Sequence, residues 1–314
     1  MNFIDPGSAK ARRLGAADAQ LSQNFPDAEW EDICAYRSRG RFPQALIRYD
    51  ELLSVGFLDN PVLTMSMRET SRFNTLAIAL HLHDVRDLDD PRSGLTMGML
   101  KSVCQNFGIA SAGRVAEIMN LLIHNRYFAR TPCTIDKRIA LIAPTERMAP
   151  VLYRWDKAYF EMLDVSNSKL HLTADFAADP TLGPRLRRAV GNKRVAGWSS
   201  LSAFPDVNMF LERAGGWSLF ARCMSMWMNR APEALDAPMV LNLEEFSVES
   251  GASRSSLRRL LSEAYQQGLL LSAPRTGHNI VMSDKLISTG ATWLAYLLMT
   301  HETLAMALDK PTPQ

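Results

Sequence analysis

The chain has 314 residues, of which 47% are hydrophobic and 22% are charged, and its formal net charge is +2. This length allows about two domains of ordinary size, and so small a net charge excludes a polycation that coats nucleic acid without selectivity. Cysteines without paired or metal-type spacing, a start without a signal pattern and apolar stretches too short to cross a bilayer predict a cytoplasmic protein with no metal, no cofactor and no membrane partner.

Residues 1–60 are predicted to form an N-terminal helical extension. Apolar positions recur with helical spacing over residues 27–37 and 43–54, and an arginine-rich loop joins these two segments. The extension has no counterpart later in the chain. We expect it to cover a shared helical core, and the alternative is that its arginines contact phosphates.

Residues 61–165 are predicted to form a first module that begins and ends with a long helix. Between these helices the sequence indicates a short helix over residues 97–107, a turn at Gly108, a helix capped by Ser111 and two short strands. This order is typical of a winged helix-turn-helix. In such a module the third helix enters the DNA major groove, and the strand hairpin, or wing, contacts the backbone or the minor groove.

The same pattern recurs in residues 205–314, which are predicted to form a second module. At a constant offset along the chain, the buried-type positions Val115, Met119 and Ile123 coincide with Leu257, Leu261 and Tyr265. A repeat of this length indicates two like modules. Residues 166–204, which carry a basic run, are interpreted as a solvated linker. The predicted fold is mainly α with small β-hairpin wings.

Helical phase selects the side of each third helix that faces away from its apolar stripe. Hydroxyl, guanidinium and amide groups on that side are suitable partners for base edges and phosphates. In the first module and its wing, the candidate DNA-binding residues are Ser111, Arg114, Asn120, His124, Lys137 and Arg138. In the second module and its wing, they are Arg254, Ser255, Arg258, Arg259, Ser262, Gln266, Arg275 and His278. Glu117 weakens the first set, so the two modules are expected to read unequal half-sites.

The wing of the first module contains Asp-x-Arg, formed by Asp136 and Arg138, and Thr145-Glu follows before the next helix. On these residues the module resembles the MarR-type winged helix-turn-helix transcription regulators. The resemblance implies that the wing arginine reaches into the minor groove and that the aspartate holds this arginine in place. Ordinary family members are single modules that dimerise. The resemblance therefore implies two modules fused in one chain and packed through long helices as a pseudo-dimer, although the second module lacks Asp-x-Arg.

Large aromatic residues recur on the long outer helices of both modules. Core packing is the default explanation, because a helical stripe of large apolar residues mostly buries area. The alternative is a pocket between these helices for a small hydrophobic effector. Its candidate lining residues are Trp155, Tyr159, Trp217 and Trp293.

The sequence predicts a DNA-binding transcription regulator, a repressor, that reads an imperfect inverted repeat in double-stranded DNA as a monomeric pseudo-dimer or a homodimer. Two alternatives stay open. A plasmid-type replication initiator would bind direct repeats near an origin, and a winged-helix protein-interaction scaffold would show no salt-dependent DNA affinity. An enzyme is not predicted, because the sequence contains no nucleophile elbow, phosphate loop, dinucleotide fingerprint or zinc motif.

Overall fold

The computed structural model describes residues 8–55, 63, 69–272 and 279–308. This part of the chain is mainly helical and contains two small antiparallel sheets of two strands each, which is compatible with the predicted mainly α fold with small hairpins. Within the same ranges, no helix is both long and apolar enough to cross a membrane. The candidate wing residues Arg275 and His278 lie outside the described residues.

The elements before residue 166 comprise the extension and the first module. The extension contains α1 (Ala9–Leu14), α2 (Asp18–Leu21), α3 (Asp27–Arg37) and α4 (Phe42–Val55). The first module contains α5 (Thr70–Asp84), α6 (Met97–Asn106), α7 (Ala112–His124), β1 (Phe128–Pro132), β2 (Ala140–Pro144) and α8 (Ala149–Ser166). The predicted order of elements in the first module is therefore present, and α3 and α4 coincide with the two helices predicted for the extension.

The elements after α8 comprise two connecting helices and the second module. The connecting helices are α9 (Leu172–Ala178) and α10 (Leu182–Val195). The second module contains α11 (Pro205–Leu211), α12 (Gly216–Met228), β3 (Met239–Val240), α13 (Leu243–Ser250), α14 (Arg254–Gln266), β4 (Asn279–Ile280) and α15 (Asp284–Leu308).

In each module the sheet is tied to the start of the short helix. In the first module, β1 pairs antiparallel with β2, and Thr96, just before α6, forms a bridge with Leu141 of β2. In the second module, β3 precedes α13 and pairs with β4, and Leu270 forms a bridge with Met282. In both modules the strand that leads into the last helix therefore pairs with the segment before the short helix.

The helix that follows the short helix in each module, α7 or α14, corresponds to the predicted third helix and begins at a serine cap, as predicted. Ser111 Oγ accepts from the N–H of Arg114, and Ser253 Oγ accepts from the N–H of Ser256. These bonds each satisfy an amide group that a helix N-terminus leaves unpaired.

The buried stripes of these two helices confirm the helical phase taken from the sequence. They are Val115, Ile118, Met119 and Leu122 in α7, and Leu257, Leu260, Leu261 and Ala264 in α14. Tyr265 departs from the expectation, because its alignment with the first module predicts burial and its residue surface is 42% exposed. The opposite side of each helix is left for other contacts.

We expect Ser253→Ala to lower the free energy of unfolding by about 1 kcal/mol, because alanine removes the side-chain acceptor from the first turn of α14. Denaturant titration measures this loss. Ser247→Ala is the matched control, since the Ser247 hydroxyl donates to the Glu244 carbonyl inside its own helix. We expect that control to stay within about 0.5 kcal/mol of the parent. Equal losses in the two variants would contradict the capping role of Ser253.

The N-terminal extension packs on the helical core, as its favoured interpretation predicts. α1 and α3 contact α15, and α4 contacts both α8 and α12. Arg37, the last residue of α3, and Arg39, in the loop before α4, are engaged internally. Arg37 pairs with Asp18 and donates to Thr292, and Arg39 pairs with Glu302. These two arginines therefore anchor the extension to α15 and to its own helices.

Residues 166–204 contribute packed helices, which corrects their interpretation as a solvated linker. α10 contacts α5, α8 and α15. Leu186 is buried, and Gly191 packs so closely on the His81 ring that a Cβ would have no room there. Arg187 pairs with Asp156 on α8. This segment is therefore a bridge between the two modules.

The second module begins with two helices where the sequence predicted one long helix. The chain turns at Gly215, whose φ of 75° lies in the left-handed region that glycine adopts without steric cost. Gly216 then starts α12 in close contact with α11, where a Cβ would overlap the carbonyl of Phe210. These adjacent glycines account for the break between α11 and α12.

The two modules are packed unequally. The first has an apolar cluster of its own, built by α5 to α8 and the hairpin. The apolar residues of the second module are continuous with the extension, with α9 and α10, and with the later part of α8. Direct contacts between modules include the rings of Phe73 and Trp217, whose centroids are 4.9 Å apart. The modules therefore meet in a central layer of helices, and helices of the extension and α10 are part of this layer.

Candidate functional site

The outward side of α14 is a cationic candidate surface. Its predicted residues Arg254, Ser255, Arg258, Arg259 and Gln266 are exposed, and Ser262 is half-buried. Arg254 has Glu244 at 3.5 Å. Among the residues that the structure describes, no carboxylate oxygen lies within 4.0 Å of Arg258 or Arg259. Arg258 and Arg259 are therefore the charges of this helix that remain available to a partner.

The corresponding charge on α7, Arg114, is bound to acidic residues. Its guanidinium donates to both carboxylate oxygens of Glu117, at 2.9 and 2.7 Å, and also to Glu69. Arg72 pairs with Glu69 as well. The hydrogen bond from Arg114 lowers the pKa of Glu117, so this exposed acid stays ionised. The sequence favours Arg114 as a DNA contact, whereas the structure places it in a charge-balanced cluster.

Asn120 and His124 are exposed farther along α7. Asn120 Oδ1 accepts from Arg130 of β1 at 2.7 Å, which brings an exposed arginine beside the helix. Sequence reasoning did not select Arg130, because its pairing depends on how the hairpin packs against α7. Ser111 is exposed at the start of the same helix, where its hydroxyl serves as the cap.

The wing of the first module exposes Lys137 and Arg138 at the turn between its strands. Asp136 Oδ1 accepts from the backbone N–H of Arg138 at 3.0 Å. Asp136 thus shapes the turn through the backbone, whereas the resemblance implied that it holds the arginine side chain. At the other end of the hairpin, the Thr145 hydroxyl donates to the Arg126 carbonyl at 2.6 Å, which ties the return strand to the end of α7.

A cavity of about 580 Å³ lies among the long helices, between the two modules. All four candidate effector residues line it: Trp155, Tyr159, Trp217 and Trp293. They come from α8, α12 and α15, while α4, α5 and α10 also contribute to its wall. The sequence left core packing and a pocket as alternatives, and the structure brings these four side chains around one space.

Arg194 of α10 brings a positive charge to the wall of this cavity. Its guanidinium donates to Asn74 Oδ1 at 2.6 Å. Among the described residues, no carboxylate oxygen lies within 4.0 Å of it. Burial lowers the pKa of the Arg194 guanidinium. The sequence interpretation placed Arg194 in a solvated segment. Its inward position depends on the orientation of α10 in the folded chain.

His301 lines the same cavity and predicts a pH dependence of stability. Burial, and then the nearby Arg194, lowers its pKa to about 4, whereas an unfolded histidine has a pKa of about 6.5. Between these values the unfolded chain binds the proton and the folded chain does not. Stability contributed by neutral His301 is therefore complete above about pH 6.5 and is lost as the pH falls toward 4.

The measurement compares the free energy of unfolding of the parent and of His301→Gln across this pH range. We expect the difference between them to change by up to about 1.4 kcal/mol per pH unit, with the parent losing more as the pH falls. Other titrating groups are common to both proteins and cancel in the difference. Parallel curves from pH 7 to pH 4 would show that His301 is not the titrating group.

Among the described residues, no group of three or more His, Cys, Asp and Glu side chains could hold a metal ion. Comparisons with protein families, with curated proteins and with solved structures gave no match to this chain. The candidate functional features are therefore the two exposed helix faces, the first wing and the central cavity.

Proposed function

We propose that this protein is a DNA-binding transcription regulator, a repressor that acts in the cytoplasm. Two winged helix-turn-helix modules in one chain would read an imperfect inverted repeat in double-stranded DNA. The observation that carries the proposal is the occurrence, in both modules, of a serine-capped helix with one buried stripe and one polar side, α7 and α14. The β1–β2 hairpin follows α7, and an antiparallel bridge between Leu270 and Met282 follows α14. A third helix of this kind enters the major groove in winged modules.

The chemistry of the second module supports base and phosphate contacts. Arg258 and Arg259 are exposed guanidinium groups, and a guanidinium can donate two parallel bonds to guanine or to a phosphate. Ser255 and Gln266 add neutral polar groups on the exposed side of the same helix. The first module supplies its wing instead, where Lys137 can approach a backbone phosphate.

The difference between the modules supports an imperfect site. α7 presents the balanced cluster of Arg114 and Glu117, whereas α14 presents two arginines without acidic partners in the described part of the chain. A glutamate can accept from a cytosine amino group, whereas arginine prefers guanine. The two half-sites should then differ in base sequence while their centres lie about 34 Å apart, one helical turn of DNA. Bound near a promoter, the protein would occlude it, either as a monomeric pseudo-dimer or as a homodimer.

Selection of bound fragments from the source genome by the purified protein tests this proposal. We expect an imperfect inverted repeat near promoters, with an affinity that falls steeply with salt, because each neutralised phosphate adds about −0.9 to the slope of log K against log salt. Direct repeats at an origin would instead support a plasmid-type replication initiator. No enrichment, with weak binding that salt does not change, would support a protein-interaction scaffold.

A further inference from the structure

The outward side of α7 is a narrow line of exposed positions: Gly113, Glu117, Asn120 and His124. They recur every three or four residues, so they follow one side of the helix, opposite its buried stripe. A Cβ at Gly113 would meet nothing within 4 Å, which leaves the first turn open to a close partner. The polar groups that this line offers to a partner are therefore a carboxylate, a carboxamide and an imidazole.

Glu117 is a carboxylate that two arginines hold in one orientation. Arg114 Nη1 donates to its two oxygens at 2.9 and 2.7 Å, and Arg72 Nη2 lies 3.5 Å from its Oε1. The hydrogen bond from Arg114 lowers the pKa of Glu117, so the group is ionised at neutral pH and can only accept. Its side chain is still 57% exposed. Glu117 therefore presents a fixed acceptor to a partner of α7.

Asn120 is a carboxamide whose orientation is set by the hairpin. Its Oδ1 accepts from Arg130 Nη2 of β1 at 2.7 Å. A guanidinium has no acceptor, so the amide oxygen and not the amide nitrogen must face it. The Nδ2 group makes no hydrogen bond within the described ranges, and both of its hydrogens are free to donate. Asn120 therefore presents a fixed donor, three residues beyond the acceptor of Glu117.

We propose that α7 reads one cytosine and one guanine in the major groove, the cytosine through Glu117 and the guanine through Asn120. Arg114 and Arg130 are the residues that position these two side chains. The two bases lie in the same base pair or in neighbouring ones, because three residues of helix advance about 4.5 Å and successive base pairs are about 3.4 Å apart. This base reading rests on the proposed DNA-binding function, since it requires α7 to lie in the groove.

An ionised acceptor of fixed orientation favours cytosine. Two groups in the major groove donate hydrogen bonds, cytosine N4 and adenine N6. Adenine carries its N7 acceptor beside N6, and a carboxylate is repelled by a second acceptor. Cytosine has no acceptor on its major-groove edge. Glu117 should therefore discriminate against adenine as well as against guanine and thymine.

The donor of Asn120 favours guanine. Guanine presents two acceptors, O6 and N7, whereas thymine presents one, O4, beside a methyl group. An unconstrained asparagine reads adenine instead, because its oxygen accepts from N6 while its nitrogen donates to N7. That contact needs the amide oxygen, which Arg130 holds. Arg130 therefore changes the base that this asparagine prefers from adenine to guanine.

The repeat places a different chemistry at the corresponding positions of the second module. At the offset that aligns Val115 with Leu257, Glu117 coincides with Arg259 and Asn120 with Ser262. Arginine contacts guanine through O6 and N7. The position that is a cytosine in the half-site of the first module should therefore be a guanine in the half-site of the second.

Selection of bound sequences from random duplex DNA by the purified protein, followed by sequencing, measures the base preference at each position. Replacing Arg258 and Arg259 together by alanine should change the preferences of one half-site alone, which assigns the other half-site to α7. We expect the half-site of α7 to contain the cytosine and the guanine. Glu117→Gln should lower the ratio of cytosine to adenine by about fivefold or more, because glutamine can both accept from adenine N6 and donate to N7.

Arg130 is tested by a readout that a structural role would not move. Arg130→Met frees the amide of Asn120, so the ratio of guanine to adenine should fall by about fivefold or more. Arg130→Lys keeps a donor to Oδ1 and should keep guanine. Lys137→Met is the matched control, because loss of a phosphate contact should weaken all sequences alike and leave both ratios unchanged. The ratios are measured on bound DNA, so an unfolded fraction of a variant does not alter them.

The outcomes separate the base reading from the DNA-binding function. An enriched sequence whose ratios stay the same in Glu117→Gln, or in Arg130→Met, would overturn the base reading and keep the regulator. Enrichment confined to the positions that change with Arg258 and Arg259 would do the same, since the first module would then bind without reading bases. Enrichment of no sequence by the parent protein would overturn the regulator and the base reading together.

Discussion

Replacing Arg258 and Arg259 together by alanine is expected to weaken binding to the preferred DNA sequence by at least about 30-fold. A single bidentate pair between a side chain and a base contributes about 1–3 kcal/mol of discrimination, so removing two of them produces an effect of this size or larger. Both guanidinium groups are exposed and lack an acidic partner among the described residues. Their removal should therefore change the free energy of unfolding by less than about 0.5 kcal/mol.

The matched control for this pair replaces Arg185 and Arg188 by alanine. Both are exposed on α10, so the double variant has the same change of net charge at a different surface. Electrophoretic mobility or fluorescence anisotropy, measured at two salt concentrations, compares the three proteins. An equal loss of DNA affinity in both double variants would indicate that these arginines act only through long-range electrostatic attraction to DNA. Unchanged binding in the α14 variant would show that this helix does not face DNA.

Local signals in the sequence were sufficient to predict the third helices. A helix of 3.6 residues per turn places every third or fourth residue on one side, and a serine directly before the apolar pattern identifies its start. Neither signal needs a distant part of the chain. The caps at Ser111 and Ser253 and the buried stripes of α7 and α14 were therefore predictable.

Charge pairing was not predictable, because it depends on contacts between distant segments. Arg114 was expected to face a partner. Glu117 binds it from the same helix, but its second acidic partner, Glu69, lies far earlier in the chain. Arg194 was expected to face solvent, and the packing of α10 on α5 and α15 turns it toward the cavity instead. The sequence shows that an arginine is charged, whereas only the tertiary structure shows which surface it reaches.

The aromatic residues illustrate a third case, in which the sequence left two alternatives. Helical spacing placed Trp155, Tyr159, Trp217 and Trp293 on inward faces, and an inward face is compatible with a packed core or with a pocket. Packing density between helices is set by all the side chains that meet there and has no local signature. The cavity could therefore be proposed from the sequence, but its volume and its arginine could not.

The break between α11 and α12 predicts a second large effect on stability. Replacing a glycine within a helix by alanine usually raises the free energy of unfolding, whereas at Gly216 the replacement should lower it. Gly216→Ala should lower the free energy of unfolding by about 3 kcal/mol, the upper part of the range for overpacked sites. Its Cβ would overlap the backbone carbonyl of Phe210 and lie 3.0 Å from Leu260 Cδ2. A backbone carbonyl cannot move away as the end of a flexible side chain can.

Gly98→Ala is the matched control and should have the opposite sign. Gly98 lies near the start of α6, and a Cβ there meets nothing within 4 Å, so alanine should raise the free energy of unfolding by about 0.5–1 kcal/mol. Denaturant titration of the two variants checks both signs. Because Leu260 belongs to the buried stripe of α14, Gly216→Ala should also displace that helix and weaken DNA binding, although every residue on its outward side is retained. A stable Gly216→Ala protein with unchanged affinity would show that the α11–α12 turn does not fix the position of α14.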